Sequence, residues 1–160
     1  MSARTGIAYD SHRLDASRPL ILGGVQVPEA KRGLTGHSDA DVLTHAVIDA
    51  LLGAAGLADI GHHFPDTDPQ FKNADSIELL DQVRSLLAGE GLNAVHVDAT
   101  VIAEAPKLGS HRDAMRERLA GALGVPTGSV NVKFTTNEGM GFVGRGEGMA
   151  AMAVATVEAP

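Results

Sequence analysis

The sequence predicts one α/β (α+β) domain over residues 1–160, a mixed four-stranded sheet with helices on one face. Three observations carry that expectation. The segments "TGIAYDSH", "NAVHVDATVIAEA", "GSVNVKFTTN" and "EGMAAMAVATVEA" read as strands. Two stretches, Val42 to Ala54 and Ile77 to Leu87, instead space their apolar residues as helices do. The elements then follow in the order βββ-αα-β-α-ββ, with no repeat, linker or low-complexity tract to divide them.

In chain order, "TGIAYDSH" is the first strand, and "LILGGVQVP" is a second, broken by a turn or bulge at Gly23-Gly24. "EAKRGLTG" is a loop. Ser38 suits an N-cap, with Asp39 and Asp41 in the first turn, where the helix dipole favours negative charge. Val42, Leu43, Ala46, Val47, Ala50, Leu51 and Ala54 then make one apolar face. "LADIGHHFPDTDPQFKNAD" is too polar and too punctuated for regular structure, and connections of that length are usually functional or mobile. A second helix is expected from about Ser76 to Ala88, with Ile77, Leu79, Leu80, Val83, Leu86 and Leu87 facing inward and Gly89 as its stop. A strand, a third helix from about Ser110 to Leu123, and two last strands complete the chain.

Composition narrows the function. A chain of 160 residues buries about 70% of its unfolded surface and folds without a disulfide or structural metal. With no cysteine, it has no thiolate nucleophile and no zinc ribbon, so any metal must be held by His, Asp or Glu. The net charge of -7, the absence of a basic cluster and an aromatic content of only 3% argue against a nucleic-acid surface. An acidic protein that binds a phosphorylated ligand needs local cations. "MSARTGIAYDSH" lacks the apolar core of a signal peptide, and Met149 to Val157 is too short to cross a bilayer, so a cytoplasmic protein with no membrane partner is expected.

Several constellations bear on chemistry, and each has a plain reading beside the functional one. Asp10 and His12 alternate along a strand and share a face, as two metal ligands would or as any polar strand end does. His45 lies ~140° from the centre of the helix's apolar face, with Asp41 and Asp49 one turn away on either side. It is either a solvated histidine or a third ligand whose surroundings an acid orients. Three such ligands with an open fourth position are the pattern of a catalytic zinc. His37, beside Ser38 at the helix start, sits where phosphate binds well, or is a loop residue. "KFTTNEG" ends a strand with hydroxyls and an acid suited to phosphate and Mg²⁺, or with a polar turn. "AEAPKLG" is either a backbone cradle or a helix entry. Gly139, Gly141 and Gly144 form a formal GxGxxG, but a strand follows rather than a helix, which excludes a dinucleotide fingerprint.

In this order, "DSHRL", "LGGVQVP", "GHSDADVLTHAVIDALLGAAGLADIGHHFPDTDP", "FKNADSIELL", "IAEAPKL", "NVKFTTNEGMGF" and "GRGEG" resemble the 2-C-methyl-D-erythritol 2,4-cyclodiphosphate synthase family almost end to end. The resemblance implies that Asp10, His12 and His45 bind Zn²⁺ (or Mn²⁺ or Co²⁺), and that Glu138 binds a Mg²⁺ (or Mn²⁺) held between two substrate phosphates. Asp10, Ser11 and His12 border the substrate, and His37 and Ser38 contact its phosphates. Asp59, Ile60 and Gly61, with Phe64, Pro65, Asp66, Thr67 and Asp68, form a flexible segment over the methylerythritol part. Ala103, Glu104, Ala105, Pro106, Lys107, Leu108 and Gly109 surround the cytidine base. Thr135, Thr136, Asn137 and Glu138 clamp the diphosphate, and Phe142 and Arg145 are further substrate-side positions. His37 and Thr136 would stabilise the transition state from opposite sides.

The implied reaction belongs to the non-mevalonate (MEP) route to isoprenoids. In 4-diphosphocytidyl-2-C-methyl-D-erythritol 2-phosphate the 2-phosphate attacks the β-phosphorus and CMP leaves, so the enzyme is a CMP-releasing phosphorus–oxygen lyase. Alignment and charge neutralisation are the main tasks, and no protein nucleophile is needed. The resemblance also implies a homotrimer, sheets inward, with active sites at subunit interfaces and room for an isoprenoid diphosphate in the central cavity. Ile7, Ala8 and Asn137 depart from residues frequent in the family, and shifts in packing or affinity are expected from them. His62 and His63 receive no role and are expected to be exposed loop residues. No cytidylyltransferase domain is expected. Two other readings stand beside this one: a metal-dependent phosphoesterase that yields a linear phosphate, and a non-catalytic isoprenoid-phosphate-binding trimer whose function survives Asp10→Asn or His45→Ala.

Overall fold

Strand β1 (Ala3–Asp15) runs antiparallel to the C-terminal strand β7 (Gly148–Glu158), and β7 runs antiparallel to β5 (Asn93–Ile102) on its other side. Strand β6 (Val130–Thr135) joins β5 in parallel. The computed structural model describes residues 2–160, and Met1 lies outside the described residues. The expected mixed sheet of four long strands is present. A two-residue strand β4 (Gly33–Leu34), within the stretch expected to be loop, extends it to the order β4-β1-β7-β5-β6.

Helix α1 (Val42–Ala55) packs on β1 and β7, and α3 (Ser76–Gly89) and α4 (Arg112–Leu123) continue the helical layer. Small residues let α1 lie close. A Cβ at Gly6 would stand 2.0 Å from the Ala50 carbonyl oxygen, so only glycine fits there. Ala8, Ala151, Ala153 and Ala155 are also buried under the helices. The opposite face of the sheet leaves Ile7, Tyr9, Met152 and Val154 exposed, with Ile7 opposite Val154 and Tyr9 opposite Met152. Among the described residues no helix is long and apolar enough to cross a membrane.

Two details of α1 differ from expectation. Its N-cap is Asp41, not Ser38, and the helix is buried on almost every side rather than half-solvated. A hairpin laid over the start of α1 explains the first and, with α3, the second. Gly23 and Gly24 take left-handed φ values of 57° and 72° and turn β2 (Ile21–Leu22) into β3 (Val25–Gln26). That hairpin folds onto the start of α1, where its turn N–H groups need an acceptor. The Asp41 carboxylate accepts from Gly23 N (2.9 Å), Gly24 N (2.7 Å), Thr44 N (2.9 Å) and Thr44 Oγ (2.7 Å). Burial and the neighbouring Asp39 push its carboxyl upward, against these donors. Asp41→Ala strands buried donors at ~1–3 kcal/mol each. We expect a loss of about 3 kcal/mol, lowering Tm by roughly 6–12 °C, and thermal unfolding of the variant checks it.

The polar stretch after α1 is only partly irregular. It holds the short helix α2 (Ile60–His63) and a 3-10 turn at Pro69–Phe71, capped by Asp59 and Asp68. The third long helix begins at Arg112, after a 3-10 turn at Gly109–His111, because that turn covers Ser110. Leu86, expected in the core, is one of the exposed apolar residues. The glycine-rich segment makes the single turn α5 (Gly141–Gly144) and then enters β7, as the rejection of a dinucleotide fingerprint requires.

Candidate active site

Asp10 and His12 leave β1 on the face that α1 covers, and His45 reaches down from α1 to meet them. Asp10 Oδ2 lies 2.9 Å from His12 Nε2 and 3.3 Å from His45 Nδ1, and the two ring nitrogens are 3.1 Å apart. A tetrahedral cation with bonds of ~2.0–2.1 Å separates its ligand atoms by ~3.3 Å, so this triangle is within a few tenths of an ångström of a metal's needs.

The far sides of both rings support that fit. His12 Nδ1 stands 3.0 Å from the Thr35 carbonyl oxygen, which can only accept, so Nδ1 carries the proton and Nε2 is bare. His45 Nε2 stands 2.8 Å from Ser76 Oγ and 3.1 Å from Ser38 Oγ. The Ser76 hydroxyl donates to Asp39 Oδ1, 2.5 Å away, and must accept from the ring, which leaves His45 Nδ1 bare as well. Two lone pairs and a carboxylate thus converge on one point, and they require positive charge there. Burial raises the Asp10 carboxyl, but when the rings are protonated toward it the hydrogen bonds from His12 and His45 and their charge outweigh that and hold it far below the usual carboxylate range. For His45 burial favours the neutral ring, yet Asp10, Asp41 and Asp39 raise its pKa overall.

The acids expected to orient His45, Asp41 and Asp49, are engaged elsewhere. Asp41 holds the hairpin and caps α1. Asp49 Oδ1 accepts from Ile60 N at 2.6 Å and so ties α2 to the site. Burial raises the Asp49 carboxyl, and Asp10 and Asp59 add to the rise against the Ile60 N–H and His45. Four residues that sequence reasoning did not single out shape the site: Asp39, Ser76, Arg18 and Arg112. Arg18 donates to the carbonyls of Gly36 (2.7 Å) and Ser38 (2.6 Å) and fixes the loop that presents His37 and Ser38.

A cavity of about 390 Å³ opens beside the triangle, lined by Asp10, His12, His37, Ser38, His45, Ile60, Gly61, Phe64, Asp66 and Phe71, among others. His37 precedes the α1 cap rather than sitting at the helix start, and its Nε2 lies 3.0 Å from the Asp68 carbonyl. The segment forming the far wall is pinned by Phe64, whose ring meets Phe71 edge-on at 5.3 Å. Asp59, Pro65, Thr67 and Asp68 belong to this segment without lining the cavity. His62 is exposed as expected. His63 is only partly so, because its Nε2 is bonded to the Leu57 carbonyl at 2.6 Å.

A second cavity of about 330 Å³ lies at the carboxyl ends of the parallel pair β5 and β6. It gathers Ala103, Glu104, Pro106, Lys107, Leu108, Gly109, Thr135 and Thr136, at the kind of sheet edge where α/β proteins bind ligands. Arg112 completes its wall, held over the Phe134 ring at 5.4 Å and bonded to the Val132 carbonyl. Glu104 Oε1 accepts from Gly139 N at 2.6 Å and closes the loop onto the turn after β6. His111 Nε2, 2.6 Å from Glu29 Oε1, anchors the following 3-10 turn. Thr136 Oγ1 accepts from Glu138 N, which leaves its own hydroxyl proton to donate. Asn137 and Glu138 form the turn beyond, with Glu138 at a left-handed φ of 51°.

The remaining expected residues lie apart. Ala105 faces a separate groove with Leu14, Lys31 and Arg32. Ser11, on the other side of β1 from Asp10, lines another groove with Phe142, and Arg145 pairs with Glu147 at 2.9 Å. Within one chain the structure therefore makes two separate cavities. Through β7, Asp10 is level with Val101 and Ser11 with Ile102, so both cavities open at the same end of the sheet.

Comparison with known proteins covers almost the whole chain. The family model described as the YgbB family matches residues 3–158. The chain is similar to the 2-C-methyl-D-erythritol 2,4-cyclodiphosphate synthase of Symbiobacterium thermophilum, 60% identical over 152 residues, covering 95% of this chain and 96% of that protein. Among solved structures it resembles the bifunctional IspDF from Campylobacter jejuni at a TM-score of 0.95 and 43% identity, covering 99% of this chain and 43% of that longer one. It also resembles a CDP-bound 2C-methyl-D-erythritol-2,4-cyclodiphosphate synthase at a TM-score of 0.88 and 36% identity, covering 97% of this chain and 100% of the other.

Proposed function

The chain belongs to the YgbB family, and on that premise we propose that it converts 4-diphosphocytidyl-2-C-methyl-D-erythritol 2-phosphate to 2-C-methyl-D-erythritol 2,4-cyclodiphosphate with release of CMP. The observation that carries the proposal is the convergence of Asp10, His12 and His45 on one point beside a cavity that also holds His37 and Ser38. When bound there, Zn²⁺ (or Mn²⁺ or Co²⁺), with a Mg²⁺ (or Mn²⁺) held by Glu138 and the substrate, supplies the positive charge that orients and neutralises the phosphate oxygens.

The protein's own groups do the rest. The Ile60–Phe71 wall excludes water from the methylerythritol end, and the Ala103–Gly109 loop holds the cytidine. His37 and the free hydroxyl proton of Thr136 donate to oxygens on the attacked phosphorus from its two sides. Their placement in two cavities supports sites shared between subunits. The exposed apolar strip of Ile7, Tyr9, Met152 and Val154 supports sheets packed inward in a homotrimer. Residues 1–160 act as one domain of a cytoplasmic lyase in the non-mevalonate pathway. Phe142 and Arg145 would be the residues to meet an isoprenoid diphosphate in the central cavity of such a trimer. Release of CMP from the cytidyl substrate, followed by chromatography with and without EDTA, tests the proposal. Metal-dependent release is expected, and tight substrate binding without release would favour a non-catalytic binder.

A further inference from the structure

We infer that Asp39 and Ser76 are positioning residues for His45, fixing the tautomer and direction with which its ring offers Nδ1 to Asp10 and His12. This rests on the metal-centre reading above. Ser76 is fully buried at the first turn of α3, and its hydroxyl is the group within 2.8 Å of His45 Nε2. The Asp39 carboxylate commits that hydroxyl. Its Oδ1 takes the hydroxyl proton, and its Oδ2 takes the Ser76 backbone N–H at 2.9 Å. A hydroxyl has one proton, so Ser76 Oγ has only a lone pair left for the ring, and Nε2 must be the protonated nitrogen. Asp39 is itself held, since its backbone N–H donates to the Ala74 carbonyl at 3.1 Å.

Ser38 does not duplicate this role. Its Oγ accepts weakly from Ala40 N at 3.3 Å, and its proton is bound to no acceptor, so it suits either ring tautomer. Without the Asp39–Ser76 pair, His45 is free to carry its proton on Nδ1, the atom that faces Asp10. Orienting partners behind a ligand histidine typically change metal affinity by 10- to 100-fold. The sequence separation of Asp39 and Ser76 also means that the start of α3 is fastened to the centre through side chains.

The test compares wild type with Ser76→Ala, using ¹⁵N NMR of the histidine rings in metal-free protein at alkaline pH and zinc affinity by competition with a chromophoric chelator. The expected result is mixed protonation of His45 Nδ1 and Nε2 in the variant, with zinc binding weaker by about 10- to 100-fold. Ser76→Thr, which keeps the hydroxyl, is expected to restore the single tautomer. If Ser76→Ala does not fold, Asp39→Asn is read in the same way. A folded variant with unchanged ring shifts and unchanged zinc affinity overturns the inference. A wild type that takes up no zinc overturns the metal-centre reading instead, and the ring shifts of the metal-free proteins still decide the role of Ser76.

Discussion

His45→Ala is expected to abolish stoichiometric zinc binding and to lower CMP release by roughly 10³-fold or more, with the fold intact. The size follows from what is removed. Charge stabilisation by a bound metal is worth several kcal/mol, and each ~1.4 kcal/mol is tenfold in rate. Asp10 and His12 alone leave two ligand atoms on one strand, too few for the three-ligand arrangement of a catalytic centre. The site loses a ring and keeps its small neighbours, Ser38 and Ser76, with a hydroxyl that still has Asp39 as partner. Metal analysis and circular dichroism of the purified variant, beside its turnover, separate lost metal from lost fold. Wild-type turnover by a variant without metal would refute the assigned role.

Mixing two inactive variants is expected to restore activity. Asp10→Ala damages the half-site on β1 and α1, and Thr136→Ala damages the half-site beyond β6. If each catalytic site joins the first half-site of one subunit to the second half-site of its neighbour, random mixed trimers contain intact pairs. With equal amounts of the two chains, roughly one interface in four unites two undamaged halves, so dissociation and reassembly together give about a quarter of wild-type activity. Separately assembled trimers, merely combined, give none. Absence of recovery in verified mixed trimers would place both half-sites of an active centre within one subunit.

The sequence made some of this legible for clear physical reasons. Asp10 and His12 share a face because strands alternate, and His45 stands with Thr44 and Asp49 in a helix whose other positions are apolar or glycine. The half-buried state expected for α1 did not hold. Periodicity reports a helix's own pattern and not what other segments lay over it, here the Gly23–Gly24 hairpin and α3. Asp41 thus looked like a surface acid and is the buried acceptor that fastens the hairpin. Asp39 and Ser76 were illegible as partners, because their contact depends on how α3 meets the start of α1. Arg112 read as one charge in a helix, and only the stack on Phe134 brings it to the second cavity. The two-residue strand β4 exists through pairing with Leu14 and Asp15 and has no period of its own.

On the proposed function, this site closes a ring between two phosphates of one substrate. The most direct measurement is ³¹P NMR of the product formed by wild-type protein from 4-diphosphocytidyl-2-C-methyl-D-erythritol 2-phosphate with Zn²⁺ and Mg²⁺. Two mutually coupled cyclic-diphosphate resonances, appearing with CMP and absent in EDTA, are expected. Resonances of a linear phosphate would contradict the claim and assign the site to hydrolysis.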